Sequence, residues 1–381
     1  MRILFYDMGS YLYNDILDTL QTMGHYVRTV YYHFDNRCKD DFFYDRFQKK
    51  LASEPFDMIF SVNFYPVVAI VANEAKIPYV SWSCDSPLAE ELEHYFPLET
   101  NRIFLFDREE VTRYQKQGIT TVFHMPLAVN AERISAIRFS EGYRKLGGEV
   151  AFVGRLYETS LEPLLLPMDE YTKGYLQSAI DVQLEIYGTD LITPMLTQEL
   201  MDRINTSFRE KGFSTILTKK GLAYALEKQI TYAERVTLLD TLGDLFETKF
   251  YSDHPYPFSS HVKYMGPVKY HTEMPAVFRY SKINLCPTLR SILSGIPLRS
   301  LDIMACGGAL MSNYQPELAE NFIDGEEVIL YSSLEEAVEK ASYYLSHDTE
   351  RIALAEKGRE KILKEYSYKN RLSDILSVVP I

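Results

Sequence analysis

The stretch from Ser281 to Asn313 constrains the fold of this chain more than any other segment. It predicts a buried strand over residues 283–286, a polar loop, a turn at Gly295, a short helix, and a second strand over residues 309–312. Proline suits the first position of a helix because its missing N–H would have no partner there, so a helix is expected to begin close to Pro297. The segment is therefore a strand, loop, helix and strand in sequence.

The start of this helix carries groups that suit a nucleotide. Its free N–H groups and the positive end of its dipole face the loop and favour a bound phosphate. Arg299 and Asp302 lie three residues apart and so share one helix face. A cation beside the phosphate and a carboxylate one turn further suit a diphosphate and its ribose hydroxyls. The same residues also fit a capped core helix with an internal Arg/Asp pair, and they do not decide between the two.

Length, composition and charge are those of a globular protein with two domains. The 381 residues exceed the size at which a single hydrophobic core stops growing. The chain is 46% hydrophobic and 24% charged, which is ordinary for a globular protein. Its net charge of −13 argues against nucleic acid or an anionic membrane surface as a partner of the whole molecule, although a local basic patch is compatible with it.

The cysteines and the N-terminus favour a cytoplasmic protein without a transmembrane segment. The four cysteines lack the spacing of a metal site, and three lie in apolar runs where buried free thiols are common; they are Cys38, Cys84, Cys286 and Cys306. No run approaches the roughly 20 apolar residues of a membrane span. Residues 1–6 predict a strand rather than a signal peptide, because Asp7 ends the apolar run.

Short apolar strands alternate with helices through the first third of the chain. The pattern predicts strands over residues 2–6, 26–31, 57–62, 77–82, 102–106 and 121–123, with helices over 13–23, 41–51 and 66–75. This alternation is typical of a parallel sheet covered on both faces. The first turn contains one glycine rather than Gly-x-Gly-x-x-Gly, which argues against a nicotinamide enzyme.

Functional groups in such a sheet are expected beyond the carboxyl ends of its strands. Three loops at these positions carry polar or small residues: Gly9 with Ser10, Asn63 with Tyr65, and Cys84 with Asp85 and Ser86. For Asp85 an alternative role is structural, as a carboxylate that caps the chain near Pro87. For His124, a partly buried position at a strand end is favoured over a catalytic role.

The segment LDIMACGGALMSN resembles the C-terminal signature of the retaining, nucleotide-sugar-dependent group-1 glycosyltransferases, which reads Glu-Gly-Phe-Gly, four residues, then Glu-Ala-Met-Ala-Cys-Gly. SGIPLRSLDIMACGG followed by Asn-Tyr-Gln more closely resembles the bacterial CgeB-like (spore-maturation type) branch. In the broad family two glutamates eight residues apart contact the donor sugar and the ribose. Asp302 matches the second glutamate, Ser294 stands in place of the first, and Pro297 replaces the second glycine of the turn.

Other segments extend the resemblance. AKIPYVSWSCDSP is similar to the family strand that ends in His-Asp, with Asp85 at the aspartate and Cys84 at the histidine. PLAVN at 126–130 fills the place of Pro-Asn-Gly-Val-Asp, which commonly closes the first domain. FVGRL at 152–156 is similar to the strand and turn whose arginine, here Arg155, is implied to reach the donor diphosphate. The lysine that usually follows this arginine is absent, and the candidates for the second positive charge are Arg299 and Arg290.

The resemblance implies a GT-B architecture, an α/β fold of two Rossmann-like domains with parallel sheets facing a central cleft. The acceptor-side domain would cover residues 1–146 and the donor domain 147–365, with a C-terminal helix over 366–381 returning to the first domain. The stretch 157–245 is predicted to be mostly helical and receives no chemistry. The tail is predicted to be helical from residue 333 to about residue 365.

The resemblance also implies a site. Catalytic roles fall to Asp85, Arg155 and Arg299. Donor-binding roles fall to Gly154, Gly266, Val268, Tyr270, Arg290, Ser294, Gly295, Ile296, Pro297, Leu298 and Asp302. Acceptor-side roles fall to Gly9, Ser10, Asn63 and Tyr65.

The implied substrate is a nucleotide-diphosphate sugar, used without cofactor or metal and with retention of configuration. The acceptor and the oligomeric state stay open. The alternative is a catalytically silent nucleotide-binding or scaffold protein, because the family's glutamate, histidine and lysine are missing.

Overall fold

A computed structural model of the chain describes residues 1–379 and contains two parallel sheets of six strands each. The residues form two compact units. The first comprises Met1–Arg133, Gly295–Leu301 and the described residues from Ile362 on, and the second comprises Ile134–Ser294 and Asp302–Lys361. The predicted parallel α/β class is confirmed. The predicted domain bounds stay a prediction, and Pro380 and Ile381 of the predicted C-terminal helix lie outside the described residues.

The first unit contains a sheet with the strand order β2-β1-β3-β4-β5-β6. Its strands are β1 (Arg2–Asp7), β2 (Tyr26–Tyr31), β3 (Met58–Val62), β4 (Tyr79–Ser83), β5 (Asn101–Leu105) and β6 (Val122–His124). Its helices are α1 (Tyr13–Thr22), α2 (Asp41–Ser53), α3 (Pro66–Ala75), α4 (Arg108–Lys116), the start of α5 (Ala131–Ala136) and, later in the chain, Tyr368–Ser377. The central strands β3 and β4 are buried throughout, as expected for a sheet covered on both faces.

The edge strand and the helix after it have distinct surroundings. Strand β2 lies at one end of the sheet and is exposed along most of its length. Helix α2 begins where the Asp40 carboxylate accepts a hydrogen bond of 2.8 Å from the Phe43 N–H, an ordinary N-cap. Phe43 and Phe47, one turn apart on α2, are buried in the core of the unit. An apolar face of α2 therefore packs on the sheet.

The second unit contains a sheet with the strand order β12-β11-β10-β7-β8-β9. Its strands are β7 (Val150–Val153), β8 (Thr248–Tyr251), β9 (Lys263–Tyr264), β10 (Ile283–Leu285), β11 (Leu310–Asn313) and β12 (Ile329–Tyr331). The helices between them are α6 (Glu162–Leu165), α7 (Glu170–Glu185), α8 (Ile192–Met195), α9 (Gln198–Glu210), α10 (Lys219–Leu245), α11 (Met274–Tyr280), α12 (Leu298–Ala305) and α13 (Pro316–Asn321). They are followed by α14 (Leu334–Ser346), α15 (Asp348–Glu365) and α16, the Tyr368–Ser377 helix named above. Of α12, only the part from Asp302 on belongs to this unit.

Helices α6 to α10 confirm the prediction that the stretch after β7 is mostly helical. They enclose a hydrophobic cluster of their own, which includes Leu176, Ile204 and Leu226. The 27-residue helix α10 also reaches the sheet, because Leu238 and Leu242 near its end pack in the cluster around β7 and β10. None of the helices within residues 1–379 combines the length and apolar composition needed to cross a membrane.

Two predicted boundaries are wrong for local reasons. The strand predicted from residue 77 begins at Tyr79, because Lys76 is left-handed and the Ile77 N–H closes the end of α3 on the Ala72 carbonyl. The tail predicted as one helix to residue 365 is two helices, since His347 leaves the helical conformation between α14 and α15. Both errors lie at helix ends, where single backbone angles decide the outcome.

Candidate functional site

The loop after β1 is shaped by Asp7. One oxygen of its carboxylate accepts hydrogen bonds from the Gly9 N–H at 3.0 Å and the Ser10 N–H at 2.9 Å. Gly9 has a φ of +93°, which a residue with a side chain rarely adopts. The loop therefore presents backbone and one small hydroxyl at the carboxyl end of β1, where the sequence predicts the acceptor side.

Asn63 and Asp85 are brought together at the carboxyl ends of β3 and β4. The Asn63 amide donates to the Asp85 carboxylate at 2.7 Å and accepts from the Cys84 N–H at 2.9 Å. Asn63 is itself left-handed, with a φ of 63°. Because β3 and β4 are neighbours in the sheet, the predicted acceptor-side amide and the predicted catalytic carboxylate share one hydrogen bond.

A different carboxylate holds the chain near Pro87. The buried Glu110 accepts from the Ser86 hydroxyl at 2.8 Å and from the Leu88 N–H at 2.9 Å. The structural role weighed for Asp85 thus belongs to Glu110. Asp85 is exposed and remains available to a ligand.

Tyr65 and Cys84 are structural in character. Tyr65 is buried, its N–H donates to the Tyr79 hydroxyl at 3.1 Å, and burial raises its pKa to about 12. Burial, assisted by the Asp85 charge, raises the pKa of the Cys84 thiol to about 12. The thiol is therefore protonated at neutral pH and is a poor nucleophile. His124, predicted to be a partly buried strand-end residue, ends β6 and is half-buried.

The segment Gly295–Leu301 belongs to the first unit. Helix α12 begins at Leu298, directly after Pro297, as predicted. A Cβ on Gly295 would lie 2.8 Å from the Phe106 carbonyl oxygen, too close for any side chain. Ile296 and Leu298 are buried, and Arg299 is half-buried. Glycine is thus required here by the close approach of two backbones.

In the second unit, Asp302 on α12 is joined to Tyr270. The Tyr270 hydroxyl donates to the Asp302 carboxylate at 3.1 Å, and Asp302 is buried. Both residues are predicted to bind the donor, and the structure brings them together. Gly266 and Val268 precede Tyr270 in the loop after β9, where Gly266 has a φ of +78°.

Arg155 follows Gly154 at the carboxyl end of β7 and is mostly exposed. Its guanidinium bonds the Asp253 carboxylate at 2.6 Å. That bond raises the pKa of Arg155 and, together with His254, holds the pKa of Asp253 well below its usual range. Asp253 lies two residues beyond β8, the neighbour of β7, so the two strands place the pair at one edge of the sheet.

A buried arginine on α10 holds two of these loops. Arg235 donates to the Arg155 carbonyl at 2.5 Å and to the Pro287 carbonyl at 2.6 Å. Its guanidinium also lies 5.1 Å from the centre of the Tyr157 ring and 5.4 Å from that of Phe152. Arg235 thus fixes the backbone at the carboxyl ends of β7 and β10. Sequence reasoning missed it, and the only signal was a charged residue on the apolar face of α10.

Arg290, predicted to bind the donor, is buried against α10. It forms an ion pair of 2.7 Å with Glu234, and only 7% and 6% of the two side chains are exposed. Its guanidinium carbon lies 3.9 Å from the centre of the Tyr187 ring, and its N–H donates to the Ile186 carbonyl. Burial alone would lower the pKa of Arg290, but the Glu234 charge outweighs it and raises the pKa.

Ser294, in the place of the family's first glutamate, contacts a glutamate from elsewhere. Its hydroxyl donates to the Glu317 carboxylate at 2.7 Å, and its carbonyl accepts from the Glu317 N–H at 3.0 Å. Both residues are buried. A carboxylate therefore lies beside the position that lacks one in the sequence, contributed by the start of α13.

A polar side chain at the end of β11 and another just after it support the loop between β10 and α12. The Asn313 amide oxygen accepts from the Thr288 N–H at 2.7 Å, and the Gln315 amide donates to the Ile292 carbonyl at 2.9 Å. These two hydrogen bonds thus hold the loop between β10 and α12 against the chain at the end of β11.

Within residues 1–379 there is no cluster of three or more His, Cys, Asp or Glu side chains suited to a metal ion.

Known proteins share this fold. Residues 228–377 match a family model described as "Glycosyl transferase-like". No curated protein sequence matches the chain.

Solved structures match over the whole chain. A glycosyltransferase from Rickettsia africae is 9% identical, with 99% of this chain and 97% of that chain covered and a TM-score of 0.58. Anabaena Alr3699/HepE in complex with UDP and glucose is 12% identical, with 99% of each chain covered and a TM-score of 0.55. Sucrose-phosphate synthase from Thermosynechococcus elongatus is 12% identical, with 99% and 98% covered and a TM-score of 0.53.

The fold is GT-B, as predicted, and residues 228–377 are similar to a glycosyltransferase family model. The prediction that the protein is a glycosyltransferase is confirmed, and its donor and acceptor are not identified by these similarities.

Proposed function

We propose that this chain, a GT-B protein with a glycosyltransferase-type domain, transfers a sugar from a nucleotide-diphosphate sugar to a hydroxyl acceptor, with retention of configuration and without a metal. We place it in the CgeB-like branch and in the cytoplasm. The observation that carries the proposal is the Asp302 carboxylate. It lies in the first turns of α12 and accepts a hydrogen bond from the Tyr270 hydroxyl. A buried carboxylate at a helix that begins after a glycine and proline turn suits ribose hydroxyls beside a diphosphate.

The mechanism is electrostatic. Negative charge develops on the diphosphate as it leaves, and Arg155, Arg299 and the N–H groups at the start of α12 stabilise that charge. Arg155 holds Asp253 in the structure, so a diphosphate has to take the place of that carboxylate. Arg235 fixes the backbone of Arg155 and leaves its guanidinium free to exchange partners.

Asp85 serves the acceptor in this proposal. Its carboxylate is exposed and oriented by the Asn63 amide. It orients the acceptor hydroxyl for attack on the face that the diphosphate leaves, and the proton passes to the departing phosphate oxygen. The bond from the sugar to the phosphate oxygen breaks as the bond to the acceptor oxygen forms, with no covalent enzyme intermediate.

Two observations favour a second function, a nucleotide-binding protein without turnover. Arg155 is engaged by Asp253, and the sugar-binding glutamate of the family is replaced by Ser294. The two functions differ in the fate of a bound donor, because only the enzyme releases free nucleotide diphosphate.

Donor screening followed by hydrolysis tests the proposal. A panel of nucleotide sugars is compared by thermal shift, starting with UDP-glucose because the structural relative Alr3699/HepE was crystallised with UDP and glucose. A donor that binds only the folded chain raises the apparent stability by RT ln(1 + [L]/Kd), so at equal concentration the tightest donor gives the largest shift. Slow release of nucleotide diphosphate from the best donor supports the transferase, whereas binding without release supports the silent protein.

Asp302→Asn is expected to weaken nucleotide binding by about 1–3 kcal/mol, the range for a hydrogen bond to a charged group. The variant keeps its shape, so folding should survive. Calorimetric titration with the nucleotide diphosphate measures the effect, and Asp348→Asn, an exposed carboxylate of the same unit, is the control. Full affinity in Asp302→Asn would remove the ribose assignment, and an unfolded variant would support the core-pair alternative.

Asp85→Asn is expected to lower turnover at saturating acceptor while nucleotide affinity changes by no more than about 0.5 kcal/mol. The substitution removes the charge and retains the hydrogen-bonding shape. Steady-state kinetics and nucleotide titration are run on one preparation, with Asp374→Asn as an exposed control. Unchanged turnover would leave Asp85 without a catalytic role, and a parallel loss of nucleotide affinity would move it to the donor side.

A further inference from the structure

We propose that a groove between β2 and α2 binds a negatively charged glycan, as an extended part of the acceptor site. The inference rests on the proposed function, which it deepens by naming the acceptor class. The groove has a volume of about 570 Å³, within the range of ligand sites. It is named the β2–α2 groove below, and its accessible walls are Tyr31, Tyr32, Phe42, Arg46 and Lys49.

The floor of the groove is closely packed. Phe43 and Phe47 are buried beneath it, and their rings stack with centres 4.8 Å apart. The Tyr32 ring lies 5.2 Å from that of Phe43, and its hydroxyl donates to Asp40 at 3.0 Å. Asp40 in turn caps α2, so the wall and the helix are fixed to each other.

Two aromatic rings of the groove are exposed to an extent that packing does not explain. Tyr31 is 67% exposed and Phe42 is 59% exposed. Exposed apolar side chains that are grouped together indicate a binding site, whereas single exposed ones are ordinary. Flat rings at the rim of an open groove suit the apolar faces of sugar rings.

The charge of the groove is positive in a chain with a net charge of −13. Three cationic residues line it, Arg46, Lys49 and Lys50, and none of its lining residues, all of them described by the structure, is acidic. Lys50 is bound by Glu54 at 2.6 Å, whereas Lys49 is exposed and the Arg46 guanidinium lies 5.2 Å from the centre of the Phe42 ring. Arg46 and Lys49 are therefore placed to meet carboxylate or phosphate groups.

The groove begins at the predicted acceptor side. The Tyr31 hydroxyl lies 3.8 Å from the point that a Cβ on Gly9 would occupy. Tyr31 ends β2, and Gly9 lies in the loop after β1, the strand paired with β2. A glycan lying in the groove would therefore bring one end to the Gly9 loop.

The lining favours a glycan over a lipid chain. Val30 is its one aliphatic member, and the described lining is otherwise aromatic or cationic. Acyl chains are bound by aliphatic walls that exclude water, whereas here polar hydroxyls and cations alternate with ring faces. The occupant is thus an acidic oligosaccharide.

Calorimetric titration of the full chain tests the inference with two acidic probes, pentagalacturonate and a hyaluronan hexasaccharide, and with neutral maltohexaose. We expect at least one acidic probe to bind at least tenfold more tightly than maltohexaose at low salt, and binding to weaken as salt screens the charges. Phe42→Ser and Arg46→Glu should each weaken it at least tenfold. Tyr171→Ser is the matched control for Phe42→Ser, because Tyr171 is also an exposed ring, 67% against 59% for Phe42, and also lies under an arginine, Arg203.

Several results would overturn the inference: no binding of either acidic probe, equal binding of maltohexaose, or no effect of the two groove variants. Binding to phosphatidylglycerol vesicles in place of the oligosaccharides would overturn it in favour of a lipid. Nucleotide release from the donor is measured on the same preparations and should not change in the control variant Tyr171→Ser. Acidic probe binding without any donor turnover would leave the groove in place and reject the proposed transferase instead.

Discussion

Glu234→Gln is expected to lower the free energy of unfolding by about 3–5 kcal/mol, the range for breaking a buried ion pair from one side. Its carboxylate lies 2.7 Å from the Arg290 guanidinium, and both side chains are more than nine-tenths buried. The variant keeps the shape of Glu234 and leaves the Arg290 charge buried without its counter-charge. Urea denaturation followed by circular dichroism measures the loss.

Two further variants make this result specific. Glu234→Leu combined with Arg290→Met removes both charges and should recover much of the stability, because hydrophobic replacement of a buried pair is often neutral. Asp169→Asn breaks a pair of similar length with Arg203 in which both side chains are about half exposed, and it should lose no more than about 1 kcal/mol. Equal losses for Glu234→Gln and Asp169→Asn would contradict the structural role of the Arg290 pair.

Local sequence patterns predicted most of the fold because they reflect local physics. Strands β3 and β4 are buried on both faces and so appear as short apolar runs. Helix α3 was predicted with both ends correct, since Pro66 sets its first turn. Pro297 likewise marked the start of α12 to within one residue. Signals of this kind lie within a few residues of the feature that they determine.

The site was harder to predict because its contacts join distant parts of the chain. Arg290 looked like a donor-binding cation in a polar loop, but Glu234, 56 positions earlier, holds it. Arg235 bonds the carbonyl of Arg155, 80 positions away. Ser294 marked a missing carboxylate, and Glu317 lies beside it. Such pairings depend on strand order, which a single sequence does not record.

The sequence was most informative where a residue type has one geometric use. Gly9 takes a left-handed conformation, and Gly295 lies against the Phe106 backbone. For Asn63 and Asp85, the sequence predicted only that each lies in a loop at a strand end. Their hydrogen bond depends on β3 and β4 being neighbours in the sheet. The β2–α2 groove gave no motif at all, because its rings come from a strand edge and a helix face.

Arg155→Ala and Arg299→Ala are each expected to lower kcat by about 10²–10³, the loss found when one group that stabilises transition-state charge is removed. The affinity for nucleotide diphosphate should fall less than kcat, because the charge on the leaving group is largest in the transition state. Arg203→Ala, an exposed arginine with a similar carboxylate partner, is the control and should leave both quantities unchanged.

Asp253→Asn tests whether the Asp253 carboxylate competes with the donor diphosphate for Arg155. It removes the charge that the Arg155 guanidinium bonds at 2.6 Å, so the guanidinium meets less competition for the diphosphate. Donor affinity should then rise, while kcat stays within about twofold because the transition-state contact is retained.

Kinetics and nucleotide titration of the Arg155, Arg299 and Asp253 variants measure both kcat and the affinity for nucleotide diphosphate. Equal losses of rate and affinity in the arginine variants would indicate ground-state binding alone, and unchanged turnover in both would exclude the electrostatic mechanism.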